Sequence, residues 1–249
     1  MVIRIIPALV LTLVAATTHA GTILNALGSG PLAPGWSGGL NGRWTASGGN
    51  TEKVLLDTGA RVQWRGARDR LRWQVSGSYE ESDNAVKARE LVTHLRHNRD
   101  LGGRWATVAF AQLQSDAFQD LTSRWLLGAG ARLDVVSDDR GRLAVGATPM
   151  LELERLDGED AHTARGRLST FVSLTHTLSE TARLAAVGFW QPLFADPGDM
   201  RATADVTLAV DVTGRVDVEL GASMQYDSEP PPGVDGTDWS TYAGFGIDL

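Results

Sequence analysis

No cysteine occurs in the 249 residues, which excludes disulfide staples, thiolate metal sites and thiol nucleophiles. Positive charge is in short supply: 23 Lys and Arg face 30 Asp and Glu, a formal net charge of −7. A nucleic-acid partner would need a basic face, so none is expected. Long apolar runs are missing as well. Beyond the N-terminal segment nothing approaches the roughly 20 apolar residues that a membrane-spanning helix needs, so a helical membrane protein is excluded. Aromatic residues make up only 7% of the chain, yet eight of them are Trp, and the places where they fall are informative.

One short apolar run opens the chain. Arg4 supplies a single positive charge, residues 5–16 are mostly apolar, and Thr18, His19 and Ala20 precede Gly21. That is the build of a secretory signal peptide, so residues 1–20 are set aside from fold reasoning. Residues 21–34 carry Gly and Pro without a period and read as a periplasmic tail, ahead of a domain spanning 35–249. Export leaves the periplasm, the outer membrane or the medium.

What the sequence has in quantity is glycine, 28 residues, and alternation. Val54, Leu56, Thr58, Ala60, Val62 and Trp64 alternate with Lys53, Asp57, Gly59, Arg61 and Gln63. Val216, Val218, Leu220, Ala222, Met224 and Tyr226 alternate with Asp217, Glu219, Gly221, Ser223, Gln225 and Asp227. A period of two means strands with one apolar face. The pattern predicts twelve strands: 36–46, 52–64, 70–81, 88–100, 104–115, 121–135, 142–155, 164–178, 182–194, 201–212, 215–226 and 238–249. The strand at 104–115 alternates poorly, with Val108 and Phe110 on the inward side, which leaves the count uncertain by two.

If the first strand rises from the periplasm, the connections 65–69, 101–103, 136–141, 179–181 and 213–214 are short and fall on one side. The other side takes 81–87, 156–163, 195–200 and 227–236, which are longer and mostly acidic. Short turns on one side and longer loops on the other fit an outer-membrane barrel. The Trp residues sort in the same way. Trp36, Trp64, Trp73 and Trp105 fall near periplasmic strand ends, and Trp44, Trp125, Trp190 and Trp239 near outer ends, joined by Tyr79 and Tyr226. Two aromatic girdles are expected where an indole can bury its ring and wet its N–H. A soluble β-sandwich would instead put Trp at mid-strand in its core.

The last strand ends with Phe245, Ile247 and Leu249 on the outward side, similar to the signal read by the outer-membrane insertion machinery, although a terminal aromatic is more usual than Leu249. The segment YDSEPPPGVDGTD (226–238), leading into an amphipathic final strand, resembles the domain of unknown function 481 family. The segment GWSGGLNGRWTASGGNTEKVLLDTGARVQWRG (35–66) resembles that family's start, with one extra glycine in the turn Ser47-Gly48-Gly49-Asn50-Thr51. The resemblance implies a β-barrel in the outer membrane, with members described as salt-induced proteins, and little biochemistry.

Candidate chemistry is thin. Acyl-group hydrolysis needs Ser, His and an orienting third group. Among the histidines after residue 20, His97 and His176 fall on the outward side, His162 sits in an acidic loop, and His94 points inward. None lies in a catalytic motif. The acidic groups Asp157, Glu159, Asp160 and Asp227, Glu229, Asp235, Asp238 lack calcium-site spacing and read as solvated charge, with bridging to lipopolysaccharide phosphates as a lesser option.

The inward side mixes signs: Arg43, Arg61, Arg72, Glu80, Arg124, Arg132, Glu152, Glu154, Asp205, Asp211, Asp217 and Glu219. Such a lining fits a water-filled pore or a lumen closed by ion pairs, and both stay open. The expectation is thus an all-β, transmembrane, antiparallel up-and-down β-barrel of about twelve strands in a Gram-negative outer membrane. It is expected to be non-enzymatic, without metal or cofactor, and to meet only outer-membrane lipid, lipopolysaccharide and the insertion machinery. Envelope support, a stress-related role and narrow porin-like permeation are the candidate functions. An outer-membrane enzyme acting on lipid or lipopolysaccharide is the alternative.

Overall fold

The computed structural model describes residues 34–47, 53–82, 85–117, 120–230 and 235–248. The expected signal peptide and nearly all of the expected tail lie outside the described residues. The strands are β1 (Gly35–Ser47), β2 (Lys53–Arg65), β3 (Asp69–Ser82), β4 (Ala85–Gly102), β5 (Trp105–Asp116) and β6 (Leu121–Asp138). They continue as β7 (Gly141–Leu156), β8 (Thr163–Thr177), β9 (Ala182–Pro192), β10 (Met200–Asp211), β11 (Val216–Asp227) and β12 (Thr237–Asp248). Each strand pairs antiparallel with the next, and β1 pairs with β12, so the sheet closes into a barrel. Closure removes the edges that an open amphipathic sheet would expose.

The ends of the barrel differ. One end, called here the terminal end, carries the start of β1, the end of β12 and the connections 66–68, 103–104, 139–140, 178–181 and 212–215. Gly102, Gly103 and Gly214 turn there with positive φ of 102°, 62° and 75°. Asp138 accepts from the N–H groups of Arg140 and Gly141, a side-chain cap that stabilises a two-residue turn. The opposite, loop end carries the connections 157–162 and 193–199.

The structure corrects one expected loop. Residues 81–87 are not a long acidic connection: β3 runs to Ser82, β4 starts at Ala85, and Glu81 pairs with Val86 past a bulge at Glu80/Glu81. Acidic composition suggested a loop, but the backbone there pairs as strand, which composition alone does not distinguish from a turn. The irregular strand is also resolved. β5 alternates strictly between Trp105 and Ala109, with Ala106 and Val108 buried inside, so the apparent defect is an inward face that is itself apolar.

Outside, Leu91, Leu95, Leu127, Leu151, Val172, Val206 and Leu220 are exposed, and an apolar belt of this kind is stable only against lipid. Trp36, Trp73 and Trp105 point outward toward the terminal end, where Trp36 pairs with the half-buried Trp64 across β1 and β2. Trp125, Trp190 and Trp239 point outward toward the loop end. The Trp44 side chain lies outside the described residues.

The register on β10 makes a direct test. Leu208 pairs with Leu184 and Leu220 in the outer belt, while Asp205 faces inward. Leu208→Arg should cost about 2–4 kcal/mol near mid-membrane. Asp205→Asn, on a solvent-touched inner wall, should cost less than about 1 kcal/mol. Urea titration of the folded barrel in lipid, with heat-modifiability as the readout, checks both. Equal tolerance would contradict the register.

Candidate functional site

The inner surface divides by level along the axis. Near the loop end, arginines and carboxylates form one network. Arg124 is ion-paired with Glu154, Arg165 lies 3.1 Å from Glu154, and Arg167 lies 2.9 Å from Asp199 and 3.4 Å from Glu152. Arg201 bridges Glu152 at 2.8 Å, Glu154 at 3.3 Å and Asp227 at 2.9 Å. Four cations meet four anions, so charge balances locally. Arg167 and Glu152 are each only 1% exposed, and burial at that depth demands such pairing.

Below the network the wall turns apolar. Leu126, Met150, Phe171, Val187 and Phe189 pack together with Phe110 on the inner faces of β5 to β9. Two rings lie flat on the wall, because their cross-strand partners are glycines. Phe110 covers Gly128 and Phe171 covers Gly146, and a Cβ at either glycine would collide with the ring. His94 stacks on Phe110 with centroids 5.6 Å apart, and its Nδ1 lies 2.8 Å from Gln112 Oε1. A histidine so enclosed is a packing element, out of reach of a substrate.

The opposite wall is different. On β10 and β11 the inward residues are Thr203, Asp205, Thr207, Gly221, Ser223 and Gln225. Asp205, Thr207, Gly221 and Ser223 are only half-buried although they face the interior. At similar heights Gln112, Thr148 and Ser169, on β5, β7 and β8, are fully buried. The partial exposure of these four positions on the β10 and β11 wall lies between the buried Thr203 and Gln225 toward the loop end and the buried Ala209 toward the terminal end.

Toward the terminal end lies a cavity of about 320 Å³, lined by Arg65, Arg70, Arg132, Arg140, Arg142 and Arg183 among others. Arg132 lies 3.0 Å from Asp134, and Arg142 lies 3.8 Å from the same carboxylate.

Of the residues predicted to line the lumen, Arg61, Arg72, Arg124, Arg132, Glu152, Asp205, Asp217 and Glu219 all face inward. The Arg43 side chain lies outside the described residues. The structure joins Arg124 and Glu152 in the loop-end network but leaves Arg61, Arg72 and Arg132 in the terminal half. Asp217 and Glu219 also stand in the terminal half, where Asp217 lies 3.9 Å from Arg183, so both signs occur at both levels. Sequence reasoning missed Arg70, Arg96, Arg165, Arg167 and Arg201, although each shares the inward parity of its strand.

One contact bears on hydrolysis. Ser123 Oγ lies 3.0 Å from His162 Nε2 at the exposed loop end. Among the described residues no side chain orients the other ring nitrogen of His162, so the pair lacks the third member of a triad. In the neighbouring turn, Glu159 accepts from the Leu156 N–H and Asp157 from the Gly158 N–H, which assigns both carboxylates to their own loop.

A family model described as "Protein of unknown function, DUF481" matches residues 44–249. No curated protein matches the chain. Among solved structures, the NanC porin is similar with a TM-score of 0.51 at 10% identity, covering 85% of this chain and 98% of that one. The KdgM porin gives a TM-score of 0.47 at 8% identity, covering 85% and 98%. The translocator domain of the autotransporter NalP from Neisseria meningitidis gives 0.45 at 13% identity, covering 87% and 89%. At such identities the likeness concerns the fold, a closed outer-membrane-type barrel.

The balanced network predicts an asymmetric response. Glu152→Ala leaves the buried Arg167 with Asp199 alone and Arg201 with Glu154 and Asp227, and should cost about 3–5 kcal/mol. Arg99→Gln, which removes an exposed partner of Asp69, should cost under about 1 kcal/mol. Unfolding in urea measures both, and similar costs would contradict a buried, coupled network.

Proposed function

Since the chain belongs to the DUF481 family and folds as a closed twelve-stranded barrel, we propose that it is an outer-membrane protein that lets small solutes through by passive diffusion. The half-buried inner faces of β10 and β11 carry this reading. Thr207, Gly221 and Ser223 sit at mid-strand, point inward and still touch solvent, beside a wall of fully buried side chains. A lumen closed for purely structural support would bury both walls alike. The passage is off-centre and narrow, because the aromatic rings and the ion-pair network take up the β4 to β8 side.

In this reading the terminal end faces the periplasm and the loop end faces the medium, as short turns and longer loops are arranged in barrels of this kind. The apolar belt meets lipid, the outer loops meet lipopolysaccharide, and the final strand engages the insertion machinery. No catalytic role is assigned. A response to salt stress would act through the amount of such a pore in the envelope or through the screening of its lining charges.

Folded protein in a planar bilayer in molar KCl should give small, discrete conductance steps. Ser223→Trp, which fills the open wall, should reduce the step by about twofold or more, whereas Gln112→Leu on the dry wall should leave it nearly unchanged. Silence from folded protein, or equal effects of the two substitutions, would contradict the proposal.

A further inference from the structure

In the terminal half, arginine stands opposite arginine on β2, β3 and β4, while the carboxylate that pairs with Arg132, Asp134, is on β6. Arg72 and Arg96 are direct cross-strand partners on β3 and β4, and Arg65 and Arg70 are direct partners on β2 and β3. Like charges placed opposite each other on one sheet face repel, and here two such pairs sit two residues apart along β3, about 7 Å. Arg72 is 3% exposed and Arg96 is 2% exposed. At that burial an ion pair is the rule.

The contacts of these two guanidiniums are neutral. Arg72 donates from Nε and Nη2 to the amide oxygen of Gln63, at 3.2 and 3.0 Å. Arg96 donates to Asn98 Oδ1 at 3.4 Å and lies 5.0 Å from the centre of the Phe171 ring. Arg96 Nη2 and Arg70 Nε are buried without a hydrogen-bond partner. The charged neighbours that act most strongly on Arg72 are Arg61, Arg70, Arg96 and Arg132. Those acting on Arg96 are Arg132 and Arg70. For Arg70 the neighbours are Arg142, Arg65 and Arg132, with Asp100 as the one acid.

Two buried guanidiniums held beside further arginines, with amide oxygens as their acceptors, are missing a counter-charge. The geometry points to a binding site for a small oxyanion between Arg70, Arg72, Arg96 and Arg132, at the floor of the terminal-end cavity. Carboxylate, phosphate and sulfate groups share the planar or tetrahedral oxygens that a guanidinium fork grips with paired N–H donors. The cavity, with Arg70 and Arg132 on its lining, gives the anion its entry. Lipid headgroups are not the source, since these arginines share the inward parity and the barrel wall stands between them and lipid. Phe171 closes the site on the mid-barrel side, where Arg96 lies against its ring.

This inference deepens the permeation reading and rests on it for its role: the cluster would recruit anionic solutes to the passage and favour them over cations. Binding itself is separable from passage. The test is calorimetric titration of sodium sulfate into the folded full-length protein in a non-ionic maltoside detergent at low chloride. Sulfate is doubly charged throughout the neutral range, so its own protonation does not enter. Saturable binding is expected for the wild type and for Arg99→Gln, whose side chain is on the outer face at the same end. Arg72→Gln and Arg96→Gln should each weaken binding by about tenfold or more.

Urea unfolding without sulfate supplies a readout that a merely structural arginine would move the other way. Removing an uncompensated buried charge should leave the barrel as stable as the wild type or more so, whereas loss of a structural arginine destabilises it. Absence of saturable binding to folded wild type would overturn the site, as would undiminished binding by both variants. A silent barrel that still binds sulfate would overturn permeation and keep the site. A conducting barrel that binds none would overturn the site and keep permeation.

Discussion

Hydrocarbon offers no hydrogen bonds, so every backbone N–H and C=O that crosses it must be satisfied within the sheet itself. The whole molecule follows from that demand. Strand-to-strand pairing runs without a break around the barrel, and the final pairing of β12 with β1 removes the last open edge. That seam is short: it covers residues 39–42 against 245–248, while β1 pairs with β2 along its full length. Gly39, Gly42 and Gly246 are among the paired residues of the seam. Closure also fixes side-chain direction. Once a strand is in register, each residue faces either lipid or lumen.

Inside the closed wall, polar groups must find partners or water. The loop end solves this with balanced ion pairs across five strands and the 193–199 loop, which tie the upper barrel into one rigid rim. Mid-barrel, rings lying on Gly128 and Gly146 fill space with no polar requirement at all. The terminal half departs from both solutions, with arginine facing arginine across β3 and β4. The β10 and β11 wall departs in another way, keeping small and hydroxyl side chains that leave room for water. These two departures carry the proposals of solute passage and anion binding.

Parity made much of this legible in the sequence. Twelve strands, their order and the direction of the charged candidates whose side chains are described follow from a period of two, and the described Trp side chains stand on the outer face, where an indole gains most at an interface. Length and level were less legible. Residues 81–87 read as a loop because acidic composition does not distinguish a strand end from a turn. Val108 and Phe110 read as a defect because alternation alone assumes a polar interior. The ion-pair network and the arginine pairs depend on which residues sit opposite one another, and that register is set by bulges such as those at Glu80 and Asp134, which carry no plain sequence signal. Arg165, Arg167 and Arg201 needed only their parity to be seen as inward, but their partners needed the fold.

The absence of cysteine gives a clean background for the most direct measurement of the central claim, an aqueous path along one inner wall. Single cysteines at Thr207 and Ser223, on that wall, and at Gln112 and Ser169, on the packed wall, would be treated with a charged, water-soluble methanethiosulfonate in lipid vesicles. Leu208 and Val206, on the lipid face, complete the set. The account predicts rapid labelling at 207 and 223 and little at the other four positions. Protection of 207 and 223 in folded protein would contradict it, because the lumen would then be dry on both sides.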